Sequence, residues 1–429
     1  MPAFKWEVTM KSELQKGHLL TNLALACMSI CLTLGAAELV LRSIVPLDPR
    51  NPGEFRIPDP VLGWVLVPDA TYVYQMPEAA VTVTYNSQGW HDVEHEVNKP
   101  DGVFRILILG DSFMEADSVE LEDAFHRHVA ELTRSAGLNT EIINMGVAGY
   151  GTLQEYLMFE ENGRLYAPDL VLLGFFGVND LIDNSQELSL MLKPEGITTI
   201  SRPYLDANET ARWTIIPSDY ETAQRLYTQQ RAVIDAGRKK LTERILVFRL
   251  LRKNLSMLQN QEFLKAEDSA ARLIERQRTE LALWGVDYCV EPAEYTRAWE
   301  ITERILTRLK EDVESLGSRL VVFSVPAREE VGLEYIKDLK ADLAYFDRLC
   351  MEEAPEYTRL GRLLAKLDIE YINLLPGFRE ASREHGLQLY RIADLHWNPD
   401  GHALAADLVV SELTSRGILP ISSQSSPHP

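Results

Sequence analysis

The stretch F-R-I-L-I-L-G-D-S, residues 104–112, is an apolar run rich in branched side chains that stops at Gly110 and then presents two small polar residues. A sheet covered by helices on both faces demands such nearly uninterrupted apolar strands, so the stretch predicts the first parallel strand of an α/β domain. Open sheets of this kind bind ligands in the crevice beyond the carboxyl ends of their strands. Ser112 falls there, just ahead of a helical pattern over residues 123–136.

Four further stretches read as strands: T-E-I-I-N at 140–144, D-L-V-L-L-G-F-F at 169–176, S-R-L-V-V-F-S-V at 318–325 and L-D-I-E-Y-I-N-L at 367–374. Helical patterns separate them and no hairpin signal intervenes, which gives right-handed crossovers and a parallel sheet under helices on both faces. This α/β core occupies residues 103–184 and 295–419. Between its halves, residues 185–294 have long helical patterns and read as a helical insertion or cap. Within that insertion Arg225 to Lys253 is locally basic, which fits a helix packed on the core with a solvated basic face; the sharper alternative is a surface resting on anionic lipid.

The 429 residues are 46% hydrophobic and 25% charged, a globular composition. A formal charge of −21 argues against nucleic acid, because phosphate neutralisation needs clustered cations. Of the four cysteines, Cys27 and Cys31 lie in the first apolar stretch, and Cys289 and Cys350 read as two buried thiols, with a bridge between them as the alternative.

Residues 1–18 are polar, with Lys5, Lys11 and Lys16, and lead into the apolar stretch from Leu19 to Leu41. That length suffices to cross a bilayer, so residues 19–44 read as a transmembrane helix, with residues 1–18 as a cytosolic tail and the body extracytoplasmic. A cleaved signal peptide ending near Gly35-Ala36-Ala37 is the rival. Residues 45–102, punctuated by Pro and Gly, read as a small β-rich subdomain. The Ser- and Pro-rich tail 420–429 reads as disordered.

Chemistry concentrates in G-D-S at 110–112, N-M-G-V-A-G-Y-G-T at 144–152, G-V-N-D at 177–180 and D-L-H-W-N-P-D-G-H at 394–402. The glycine turn is not a dinucleotide fingerprint, because it follows the second strand and its spacing is G-x-x-G-x-G. A serine becomes a nucleophile when an imidazole takes its proton and an acid fixes that imidazole's tautomer. Ser112, His396 and Asp394 supply these groups. Backbone N–H groups and an Asn amide can hold the oxyanion of the tetrahedral intermediate, a role open to Ser112, Gly149 and Asn179.

These blocks, in this order, resemble the SGNH or GDSL-type hydrolases, over residues 104–180 and about 301–413. The resemblance implies a flavodoxin-like three-layer α/β/α sandwich with a five-stranded parallel sheet. It also implies Ser112 as nucleophile, His396 as general base, and the Ser112 N–H, Gly149 and Asn179 as the oxyanion hole. Phe113-Met114 replaces the commoner leucine after G-D-S, and Asp394 stands two residues before His396 instead of three. The resulting D-x-H-W form resembles relatives that include the alginate O-acetyltransferases.

Other conspicuous residues read as structural. Asp111 and Asp180 suit loop bracing. His402 suits the core, and Trp397 suits packing beside the imidazole more than stacking on a sugar. Neither His91 with His95 nor His126 with His128 has a metal-ligand arrangement. The expected protein is a membrane-anchored serine esterase that needs neither cofactor nor metal and acts on acyl esters, most plainly acetylated saccharides. A saccharide O-acetyltransferase using the same triad, and a non-catalytic saccharide-binding module, are the alternatives.

Overall fold

A computed structural model of the protein describes residues 21–22, 24–40, 52–192, 197–209, 212–239, 285–332, 346–392 and 395–420. Compact units divide the chain into Met1–Pro49 with Gln230–Ser269, and Arg50–Gln229 with Ala270–Pro429. In the first unit residues 24–40 are helical, and Leu25, Met28, Ile30, Leu32, Leu39 and Val40 are exposed. Among the described residues no helix is long and apolar enough to cross a membrane. Residues 1–20 and 41–44, parts of the expected tail and anchor, lie outside the described residues, as do 240–284 of the insertion and 421–429 of the tail.

The second unit begins with two antiparallel ladders, β1 (Arg56–Asp59) with β2 (Gly63–Leu66) and β3 (Thr71–Gln75) with β4 (Ala80–Thr84). The parallel sheet follows, built from β5 (Phe104–Leu109), β6 (Thr140–Asn144) and β7 (Leu170–Phe175). After the short ladder of β8 (Tyr204–Leu205) and β9 (Ile215–Ile216), β10 (Arg319–Ser324) and β11 (Glu370–Asn373) complete it. Its order is β11-β10-β7-β5-β6. Numbered within the sheet, that is the doubly wound order 2-1-3-4-5, in which the direction of strand addition reverses between β5 and β7.

The side chains explain why the central strands are so apolar. Alternate residues of a strand face opposite sides, and each side of this sheet has its own core. Leu107, Leu109, Val171, Leu173 and Val322 join one buried cluster, while Ile106, Ile108, Leu170, Leu172, Val321 and Phe323 join the other. The first cluster also takes in Trp64, Leu66, Tyr72, Val81 and Val83, so the N-terminal ladders share the core of the sheet. The second lies under the helices Phe125–Ser135, Leu375–Arg383 and Pro399–Ser415.

Two expectations need correction. The last strand is shorter than residues 367–374, because Leu367 caps the helix Pro355–Lys366 and Asp368 turns the chain at φ 54°. Cys289 and Cys350 are joined by a disulfide instead of being two thiols. An antiparallel bridge between Tyr288 and Leu349 brings the two segments together, with Cys289 N–H donating to Arg348 O at 2.9 Å and Cys350 N–H to Asp287 O at 2.8 Å. The Cα atoms thereby stand 5.0 Å apart, within bridging reach.

Candidate active site

Beyond β5 the chain turns at Gly110 into the one-turn helix Ser112–Glu115. Asp111 caps it, its Oδ1 accepting from Phe113 N–H at 3.0 Å. Ser112, 9% exposed, places its Oγ 2.7 Å from His396 Nε2. His396 comes from the loop ahead of the helix Pro399–Ser415, and Asn398 caps that helix by accepting from Gly401 N–H at 2.9 Å. A bridge between Tyr390 and Trp397 and a bond from Arg391 N–H to His396 O at 2.7 Å close the loop. Within it Leu395 adopts φ 67°, a left-handed conformation that a branched side chain rarely takes. Asp394 lies outside the described residues.

Asn179 belongs to the helix Gly177–Asn184, which follows β7 across the switch point from Ser112. Its Nδ2 donates to Asp111 Oδ2 at 2.6 Å. An amide nitrogen carries two hydrogens, so one remains for a ligand. Asp111 is fully buried; burial pushes its carboxyl up, against the bonds from Phe113 and Asn179 and the nearby His396. Asp180 braces the neighbouring turn, accepting from Thr152 Oγ1 at 2.7 Å and Phe176 N–H at 2.8 Å.

The glycine turn after β6 is laced to the Ser112 helix. Asn144 Nδ2 donates to Met114 O at 2.7 Å, Val147 N–H to Gly110 O at 3.1 Å and Ala148 N–H to Glu115 Oε2 at 2.6 Å. A Cβ on Gly146 would lie 2.5 Å from the Met114 carbonyl carbon, so this approach requires glycine. Gly149 adopts φ 78°. Neither its N–H nor that of Ser112 donates to another group among the described residues. The three donors expected from the sequence thus come from segments joined by hydrogen bonds, and the two backbone N–H groups have no competing acceptor among the described residues.

The residue after the serine departs from the commoner leucine, and its place explains its bulk. Phe113 packs against His396 at 5.0 Å, Phe176 at 4.9 Å and Trp397 at 5.1 Å between ring centroids. Trp397 is fully buried against Phe113, Phe378 and His402, so it offers no stacking face to a sugar. His402 is also buried, 5.5 Å from the Trp397 ring, and burial pushes its imidazole well below the usual range. His91, His95 and His126 gather around Asp92 and the Glu115 carbonyl. Among the described residues no group of His, Cys, Asp and Glu is arranged to hold a metal ion.

Residues 283–426 match the family described as the SGNH hydrolase-like domain of the acetyltransferase AlgX. That segment, about a third of the chain, is similar to an SGNH hydrolase-like domain. Similar solved structures include the acetyl xylan esterase AlAXEase, at 12% identity over 72% of this chain and 100% of that one, TM-score 0.36. A lipase/acylhydrolase from Enterococcus faecalis is 12% identical over 73% of this chain and 96% of its own, TM-score 0.35. A catalytic mutant of the acetylxylan esterase Axe2 from Geobacillus stearothermophilus is 12% identical over 75% and 97%, TM-score 0.34. The search of curated proteins finds no match.

Sequence reasoning missed several residues that shape this site. Glu115, fully buried, holds the glycine turn through Ala148 and is itself held by Tyr85 Oη at 2.7 Å. Its signal is a single carboxylate inside F-M-E-A, one turn after the serine. Trp64 and Arg202 reach the turn from opposite parts of the sequence, and no local pattern marks either one.

Proposed function

We propose that the protein is a serine esterase of the SGNH type, cleaving acyl esters, acetyl foremost, on saccharides. The observation that carries this reading is the 2.7 Å contact between Ser112 Oγ and His396 Nε2, beside backbone N–H groups that have no acceptor among the described residues. His396 Nε2 takes the hydroxyl proton as Ser112 Oγ attacks the ester carbonyl. The oxyanion is held by the N–H groups of Ser112 and Gly149 and by the Asn179 amide. Collapse releases the alcohol, which receives the proton from His396. Water, deprotonated by the same imidazole, then attacks the acyl-serine and frees the acid. Asp394 is the acid assigned to His396 Nδ1.

A second reading is favoured by the family match, whose description names an acetyltransferase. The acyl-serine is then attacked by a saccharide hydroxyl in place of water. An acceptor must outcompete about 55 M water, which requires a cleft that orients the sugar. Incubation with p-nitrophenyl acetate and a panel of oligosaccharides, followed by mass spectrometry, separates the readings. Acetate alone supports hydrolysis; acetylated sugar that disappears in Ser112→Ala supports transfer. Turnover undiminished in Ser112→Ala would end both.

The same proposal places the domain outside the cytoplasm on an N-terminal anchor. Its supports are the lysines ahead of the apolar stretch, the exposed apolar side chains of residues 24–40, and a disulfide, which persists in oxidising compartments. Protease added to the extracytoplasmic face of intact cells should digest the body, and full protection would reverse the assignment.

A further inference from the structure

Two side chains from outside the strands of the parallel sheet converge on the carbonyls of Ala148 and Gly149. Trp64, in β2 and 4% exposed, donates its indole Nε1–H to Ala148 O at 3.3 Å. That carbonyl belongs to the same peptide unit as the Gly149 N–H. Arg202, 5% exposed and just before β8, donates from Nη2 to Gly149 O at 2.8 Å. Its guanidinium stacks over the Trp64 ring at 5.1 Å and pairs with Asp183 at 2.9 Å. Nη1 is held by Gln154, whose own Nε2 donates to Leu62 O at 2.6 Å. Tyr150 completes the enclosure, donating its hydroxyl to Trp64 O and lying 5.5 Å from that ring, edge to face.

We infer that Trp64 and Arg202 are positioning residues that clamp the turn so that the Gly149 N–H faces the oxyanion. Three physical effects point the same way. A trans peptide is planar, so a bond fixing the Ala148 carbonyl fixes the direction of the Gly149 N–H opposite it. Donation to that carbonyl polarises the amide and strengthens the N–H as a donor. Gly149, at φ 78° and without a side chain, has a soft backbone that would otherwise sample other orientations. The guanidinium adds a fork of donors that a single point charge does not reproduce. Both side chains are buried, and their effect runs through the peptide. The short segment from the insertion that carries Arg202 thereby contributes to the site.

This inference rests on the esterase reading, and the experiment keeps the two apart. Steady-state hydrolysis of p-nitrophenyl acetate, inhibition by an alkyl boronic acid and thermal unfolding are measured for wild type, Trp64→Phe, Arg202→Gln and Arg202→Lys. The boronic acid becomes tetrahedral on Ser112 and places an oxygen in the hole. Trp64→Phe keeps an aromatic ring and removes the donor, with some loss of buried ring volume that the thermal unfolding records. It should lower kcat about tenfold with KM within about twofold, and weaken the boronate by a similar factor. Arg202→Gln should do the same, and Arg202→Lys should recover part of the loss. If Arg202→Gln does not fold, Trp64→Phe decides. Folded variants with kcat and boronate affinity within about twofold of wild type, or with a rise in KM alone, overturn the clamp, whatever their melting temperatures. Absence of turnover and of boronate binding in wild type overturns the esterase reading and the clamp with it.

Discussion

His396 stands at the strand ends with Nε2 2.7 Å from a serine hydroxyl, whereas His95 lies between two carboxylates, 3.0 Å from Asp92 and 2.9 Å from Glu141. Both rings belong to the same domain, yet their neighbours fit them for opposite tasks. Burial would push the His95 imidazole down, but Asp92 and Glu141 outweigh it and hold the pKa above the usual value. Burial would likewise push Asp92 up, and His126 and His95 outweigh it and hold the carboxyl below its usual range. A ring whose two nitrogens both face carboxylates is a brace. A ring facing a hydroxyl can exchange a proton with it. Partner chemistry therefore separates base from brace, which residue type alone does not.

The comparison breaks most visibly if His396 is dispensable. His396→Ala should lower kcat on p-nitrophenyl acetate by about 10³-fold or more, with little loss of stability, as steady-state kinetics and thermal unfolding would record. Next in size, Asn179→Ala should cost about 10²-fold in kcat with KM nearly unchanged. A change below about threefold would remove Asn179 from the oxyanion hole.

His95→Gln should show the reverse pattern, with kcat at pH 8 within about twofold of wild type and stability reduced by about 1–3 kcal/mol at pH 6. The raised folded-state pKa sets the sign of the pH dependence. The contribution of His95 is fully present below the unfolded value near 6.5 and is lost as pH rises through the folded value. The stability gap between wild type and His95→Gln should therefore shrink from pH 6 to pH 9 in chemical denaturation. Activity should move oppositely, falling on acidification because the base must be neutral. Smallest of all, Leu395→Gly should stay within about 0.5 kcal/mol of wild-type stability, since relief of the left-handed backbone offsets glycine's added freedom in the unfolded chain.

The sheet was legible because burial on two faces leaves a mark in every residue of a strand, as in residues 104–109 and 170–175. The site blocks were legible because each ends such a strand or opens a helix. Arg105 was hidden in the same run. It is buried, pairing with Glu141 through Nη2 at 2.7 Å and donating through Nη1 to Val97 O at 3.0 Å, partners that no local pattern reveals. The disulfide was equally hidden, since it depends on a bridge between segments 61 residues apart. Trp64, Arg202 and Glu115 act on backbone groups of a distant turn, and a backbone group leaves no residue signature. His91 with His95, and His126 with His128, were weighed as metal pairs, and only the fold sets His95 and His126 against Asp92 and His91 against the Glu115 carbonyl.

The most direct test of the central claim is covalent labelling of the intact protein with a fluorophosphonate, with the adduct mapped by mass spectrometry. The account predicts a single adduct on Ser112, abolished in Ser112→Ala and formed far more slowly in His396→Ala. An adduct on another serine, or unchanged labelling in His396→Ala, would contradict it.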